Sequence, residues 1–390
     1  MAREDGQATV EYLGVVAVVA ALFAAVAVPA LAGRDVAGVV VREVRRALCV
    51  VSGGECYLDR RPCVVASRAV RDEASLDLTI VKLGSRRILM SEQRSDGTVA
   101  VTLLGDRQAG LDLTLGGGAH LRLGRRMVSV GAQAEATMLA TLGSGSTWVL
   151  RDARSADRLV RSLAEPGGEM PAPTLAASRR GLAVSLGASA GAVGVQLGAD
   201  DLFGVATDRA TGRRTFAVRR RNDVAASLSL RGQSAGGALG TDELYTVTVD
   251  RDGRPVDLGV MSGRDASGEA GALQRAVRRE SEEHLDLTDP ENLAAARDFL
   301  REVPSPRPRL GRAVEVSGAL RARLDEDGVL DERAYAVSDS SDGVGAETGT
   351  GLGHLGADYE HHEQRLRLVA ARQRGPDGLW RAREDCVRAG

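Results

Sequence analysis

Hydrophobic and polar positions follow three rhythms along this chain. Residues 13–32 carry no charge, and about 20 apolar residues in a row are enough for a helix to cross a bilayer. Val36, Val40, Val44 and Leu48 then recur at helical spacing, with Arg42, Arg45 and Arg46 between them. That pattern predicts a stem helix that continues the span, lies on a lipid surface or packs on the body. From Leu76 the period falls to two. Leu76, Leu78 and Ile80 alternate with polar residues, as do Leu111, Leu113 and Leu115, then Leu121 and Leu123. Ser95-Asp96-Gly97 separates two such runs as a hairpin turn. An antiparallel meander with one apolar and one wet face is the expectation.

Residues 155–164 return briefly to helical spacing through Leu159, Val160 and Leu163, and Glu165-Pro166-Gly167-Gly168 opens a loop that runs to Pro173. A weak repeat follows. Leu197-Gly198-Ala199-Asp200-Asp201-Leu202-Phe203 leads to Asp208-Arg209 and Gly212-Arg213, and Leu239-Gly240-Thr241-Asp242-Glu243-Leu244-Tyr245 leads to Asp250-Arg251 and Gly253-Arg254. Both copies read as strand, polar turn, strand. Residues 273–284, rich in charge, and the segment opened by Thr288-Asp289-Pro290-Glu291 read as two helices, the second with a capping box. Residues 315–325 and 335–337 read as strands.

The expected fold is α+β and mostly antiparallel β: an N-terminal single transmembrane helix, then a meander and hairpin-rich body with two or three short helices. The segments are a leader (1–6), the transmembrane helix (7–33), a stem helix and Cys-rich segment (34–66), a β-meander (67–164), a linker (165–175), β-hairpin repeats (176–265), a helical pair (266–303) and a C-terminal β segment (304–390).

Composition narrows the function. A net charge of −2 over 390 residues offers no basic surface for nucleic acid. Aromatic residues are only 3%, so a core must be built from Val, Leu and Ala, and the aromatic girdles of an outer-membrane barrel are missing. Cys49, Cys56, Cys63 and Cys386 make an even set, and in an exported chain that suggests disulfides. One bridge within the cluster and one from Cys386 to the stem region is the expected arrangement.

Chemistry is sparse. Gly143-Ser144-Gly145-Ser146-Thr147 lacks the lysine and spacing of a phosphate loop. Ser338-Asp339-Ser340-Ser341-Asp342-Gly343 lacks the alternating carboxylates of a calcium loop and reads as a polar turn. His361 and His362 are adjacent, so on a strand they face opposite ways. Asp200 and Asp242 occupy matching places in the repeat, where turn capping is the expected role. No catalytic set, metal site or cofactor is expected, and the chain does not read as an enzyme.

The N-terminus carries a resemblance. Gly6, Glu11-Tyr12 and the apolar stretch after them resemble the class III signal of type IV-like prepilins of the Flp/Tad type and their TadE-like relatives. That resemblance implies cleavage between Gly6 and Gln7 by a prepilin-type peptidase, with Glu11 and Tyr12 at an assembly surface for other pilin-like subunits. A competing cut after Ala30-Leu31-Ala32 would remove residues 1–32 instead. The main expectation is therefore a single-pass cell-membrane protein with its large C-terminal part extracellular, pilin-like or adhesin-like. The alternative is a carrier for lipid or another hydrophobic ligand, built on an open antiparallel sheet.

Overall fold

A computed structural model describes residues 61–388 except 80, 124–125, 165–169, 191–192, 231–232, 271–272, 303–317, 351–352 and 376–377. The expected leader, membrane helix and stem as far as residue 60, with Gly6, Gln7, Glu11, Tyr12, Cys49 and Cys56, lie outside the described residues, while residues 64–66 of that segment begin the first strand. Chain contacts divide at Asp59, and the unit from Arg60 to Gly390 is the body described below.

Thirteen strands form one antiparallel sheet. They are β1 (Val64–Thr79), β2 (Val81–Arg94), β3 (Val99–Leu123), β4 (Arg126–Leu150), β5 (Leu175–Ala190), β6 (Val193–Asp208), β7 (Arg214–Leu230), β8 (Gln233–Val249), β9 (Pro255–Ala270), β10 (Leu273–His284), β11 (Val329–Thr350), β12 (Gly353–Arg374) and β13 (Trp380–Ala382). Helices α1 (Ala153–Ala164), α2 (Pro290–Glu302), α3 (Gly318–Asp327) and α4 (Glu384–Val387) interrupt the run. Neighbours in sequence pair in order, and β1 then pairs with β12 from Ala66↔Arg367 to Thr79↔His354. The sheet thus closes into a twelve-stranded barrel, and closure removes the exposed edges an open sheet would leave. Followed once around the wall, the register returns to β1 displaced by about 14 residues, the stagger that tilted strands need in order to close.

The two ends of the barrel differ. At one, the tip, six hairpins connect through two residues or fewer, between Ala190 and Val193 for example, or Leu230 and Gln233. Beyond the end of β2, β3 and β11 pair directly, from Gly118↔Gly349 to Leu123↔Val344. At the other end, the base, lie the polar turns and the four helices found among the described residues. Gly97, Gly212 and Gly253 take the positive φ these turns need, at 83°, 72° and 81°. Asp96, Asp208 and Asp250 precede them and accept backbone N–H bonds from Thr98, Ala210 and Asp252 at 3.0, 2.8 and 2.9 Å.

Three apolar clusters sit at the base. Ala156, Leu159 and Leu163 of α1 cover Val99, Val101 and Trp148. Ala295, Ala296 and Phe299 of α2, with Leu320 and Leu324 of α3, cover Val247, Val249, Leu258 and Val260. Cys386 of α4 is buried with Cys63, Val65, Tyr335 and Leu368, and it forms a disulfide with Cys63 that closes a sequence separation of 323 residues.

Several expectations are corrected here. The body is a closed barrel and not an open meander in an α+β fold. The Leu273–His284 segment is β10, paired with β9 and β11, because ladder pairing on both sides outweighs the helix preference of its charged residues. Residues 318–327 are a helix, since Leu320 and Leu324 share one buried face. Residues 338–343 run straight through β11 instead of turning. The cap of α2 is Asp289, whose carboxylate accepts from the Glu291 and Asn292 N–H groups at 2.8 and 3.2 Å, while Thr288 donates to Asp286.

Candidate functional site

Side chains alternate between the two faces of every strand, and in this barrel the usual preference is inverted. Residues on one face are exposed and apolar over the tip half: Leu76 and Leu83, Leu111, Met138 and Leu142, Val184 and Leu186, Val195 and Leu197, Val224, Leu239. Leu142 and Leu239 are 68% and 66% exposed, values typical of surface lysines and not of leucines. Residues on the other face carry charge. Asp200 on β6 lies within electrostatic reach of Arg86 on β2, four strands away along the wall, so this face looks across the interior. Over the tip half the exposed apolar residues face outward, and at mid-height the paired charged residues face the lumen.

The lumenal charges form a belt at mid-height. Asp106, with a side chain 0% exposed, accepts from Arg86 Nε and Nη2 at 3.0 and 2.8 Å and from Arg179 Nε and Nη2 at 2.7 and 2.6 Å. Gly143 makes room for that carboxylate, because a Cβ there would lie 2.0 Å from Asp106 Oδ1. Arg219 donates to both oxygens of Asp242 through Nε at 2.9 and 3.1 Å, and through Nη2 to Oδ2 at 2.6 Å. Arg221 Nε binds both oxygens of Asp223 at 2.9 and 3.0 Å. Arg278 bridges Glu280 at 2.6 Å and Asp265 at 3.4 Å, and Arg333 pairs with Glu282. Pairing of this kind is what allows so many charges to leave bulk water.

On the tip side of the belt the lumen holds a cavity of about 300 Å³ between β4 and β7. Leu139, Ala183 and Ala225 give it an apolar wall. Thr137, Ser185 and Gln196 line it with neutral polar groups, and Asp200 and Asp223 add two carboxylates. Its volume matches the low end of small-molecule sites.

Outside, at the height of the belt, the apolar surface gives way to a collar in which Arg68, Arg87, Arg107, Arg264, Arg279 and Arg365 are exposed. Acidic groups answer some of them, as Glu363 does for Arg68 at 2.8 Å and for Arg365 at 2.6 Å.

The residues singled out in the sequence disperse. Asp200 and Asp242 are mid-strand and lumenal, so the capping role expected of them belongs to Asp208 and Asp250. His361 is held by Asp72 at 2.7 Å on the outer face, and His362 on the next pleat faces the lumen. Gly143 and Gly145 lie inside β4, where they admit the side chains of Asp106 and Leu104. Cys63, Asp385 and Cys386 cluster tightly, but the two sulfurs are joined to each other and offer no thiolate to a metal. The belt itself had a sequence signal: Arg and Asp at alternate positions, as in Arg219-Arg220-Arg221-Asn222-Asp223, within runs that otherwise read as strand.

No family model matches the chain, and no curated protein matches it. Among solved structures, a Pseudomonas aeruginosa FadL homologue is similar at 8% identity over 78% of this chain and 90% of that one, with a TM-score of 0.24. An outer membrane channel from Pseudomonas putida F1 is similar at 8% identity over 80% and 100%, with a TM-score of 0.21. The Pseudomonas putida toluene transporter TodX is similar at 7% identity over 78% and 90%, with a TM-score of 0.17. At such TM-scores these likenesses carry no weight for function.

The expected single-pass architecture, with its pilin-like body, is corrected by a closed multi-strand barrel. Among the described residues no helix is long and apolar enough to cross a membrane, and the exposed apolar residues of the tip half are carried by the strands of a closed barrel.

Proposed function

We propose that this chain is a membrane-spanning β-barrel that takes a small solute into its lumen. The observation that carries the reading is the inverted alternation. Leu111, Leu142, Val195, Leu239 and Val344 stand exposed outside at 51%, 68%, 46%, 66% and 60%. Inside, at mid-height, Arg86, Asp106, Arg179, Arg219 and Asp242 pair with one another. In water that arrangement wastes apolar surface; in lipid it is the stable one, because the bilayer solvates the outer face and the closed ring pairs its strands with one another. The arginine collar fits the boundary between hydrocarbon and headgroups, where guanidinium groups on flexible stems reach water while their methylenes stay apolar. The tip half crosses the bilayer, and the helix-bearing base stays in water. The lumenal cavity favours a ligand with substantial apolar area, since Leu139, Ala183 and Ala225 form its wall.

Flotation with neutral phosphatidylcholine vesicles tests the reading. The full chain, refolded with vesicles, is expected to float with them and to keep its strand-rich circular dichroism. A folded barrel that stays in the dense, lipid-free fractions would overturn the assignment.

A further inference from the structure

The lumenal cavity is charged in one sense only. Two carboxylates, Asp200 and Asp223, are among its lining residues, and none of those residues is basic. Asp223 is already engaged, since Arg221 Nε reaches both of its oxygens. Asp200 makes no hydrogen bond or ion pair among the described residues. Three arginines lie within its electrostatic reach, and each has another commitment: Arg219 is forked onto Asp242, Arg86 onto Asp106, and Arg221, opposite Asp200 in the ladder, onto Asp223. A carboxylate beside a wall of Leu139, Ala183 and Ala225 has lost part of its hydration and has no protein cation in contact.

We propose that the cavity is a binding site for a small organic cation with an apolar body, such as an alkylammonium, with its charged head at Asp200 and its chain along the wall. The two halves of the site match the two halves of such a ligand. The carboxylate supplies a charge-assisted hydrogen bond. Alanines and a glycine, Gly198, on β5 to β7 leave width for a chain where larger side chains would fill the lumen. Thr137, Ser185 and Gln196 are neutral and do not compete for the cation. A site of about 300 Å³ suits a ligand of small-molecule size and excludes a phospholipid. The inference rests on the barrel reading only in taking the cavity as lumenal. It deepens that reading by naming the class of solute.

Titration calorimetry of the full chain in a neutral detergent, with hexylammonium, hexanol and hexanoate, separates the head group from the chain. Hexylammonium is expected to bind about ten-fold or more tightly than hexanol, with no binding of hexanoate. Asp200→Asn should bring hexylammonium to the level of hexanol, and Ala183→Leu, which fills the cavity and leaves the carboxylate, should weaken both. Equal affinity for the three probes, tighter hexanoate, or a cation preference that survives Asp200→Asn would overturn the proposal. The wild-type series decides the matter even if a variant does not fold. Vesicle flotation does not involve Asp200, so a barrel that floats but shows no cation preference defeats this inference alone.

Discussion

Asp106 shows what the inverted barrel demands of one residue. It accepts four hydrogen bonds from two arginines inside the wall, and it fits there only because position 143 has no Cβ. Asp106→Asn keeps the shape and removes the charge, which leaves Arg86 and Arg179 facing each other without a counterion. Truncating one partner of a buried ion pair costs about 3–5 kcal/mol. The expected outcome is a lower urea midpoint for the refolded barrel, with Gly143→Ala also destabilising through its clash with the same carboxylate. The turn aspartates act differently. The Thr211 hydroxyl, then the backbone N–H groups of Ala210 and Thr211, hold the Asp208 carboxyl below its ordinary range. Thr98 does the same for Asp96 through its hydroxyl and backbone N–H. A folded-state value below the unfolded one means the stabilisation is present above about pH 4 and is lost as pH falls through the folded value. Asp208→Asn should therefore leave stability unchanged at low pH and lower it near neutrality, as read from urea midpoints at several pH values.

At the scale of elements, the clearest sequence signals were the ones with a local cause. The hairpin turns at Asp96-Gly97, Asp208 to Gly212 and Asp250 to Gly253 were legible because an Asp that caps its own turn and a Gly at positive φ are short-range requirements. The helix of residues 153–164 was legible because Leu159 and Leu163 repeat on one face. β10 was not. Its lumenal Arg278, Glu280 and Glu282 and its outward Arg279, Ser281 and Glu283 are all polar, so neither period stands out, and only the ladders to β9 and β11 fix it as a strand. The C-terminal helix shows the same limit. The cysteine count ties Cys386 to the stem region without saying which of Cys49, Cys56 and Cys63 it joins, or that it packs against Tyr335; the structure joins it to Cys63. That bridge constrains the unfolded chain across a very long loop, and its loss by Cys63→Ser with Cys386→Ser should cost about 2–5 kcal/mol. The check is the unfolding midpoint with and without reductant, which should shift in the wild type and not in the double variant.

Closure belongs to the whole molecule, and it is the property least visible in the sequence. Ala66 pairs with Arg367, and no short-range pattern announces that contact. The alternation of Leu111, Leu113 and Leu115 gave one apolar face without saying whether that face turns in or out. The shortage of aromatics argued against a membrane barrel only on the assumption that girdles must be aromatic, whereas in the proposed reading the arginine collar takes the boundary. Direction is what a pair of substitutions can test. Val195 on β6 faces outward in the tip half, while Ser185 on β5 faces the lumen at a similar height. If lipid surrounds the barrel, Val195→Arg must place a guanidinium in hydrocarbon at about 2–4 kcal/mol near the midplane, and Ser185→Arg must place it among paired charges and water at much lower cost. Refolding yield into phosphatidylcholine vesicles should therefore fall for Val195→Arg and hold for Ser185→Arg. The opposite ranking would mean that the exposed leucines face water and the lumen is the dry side, because a soluble barrel tolerates a surface arginine and rejects an interior one.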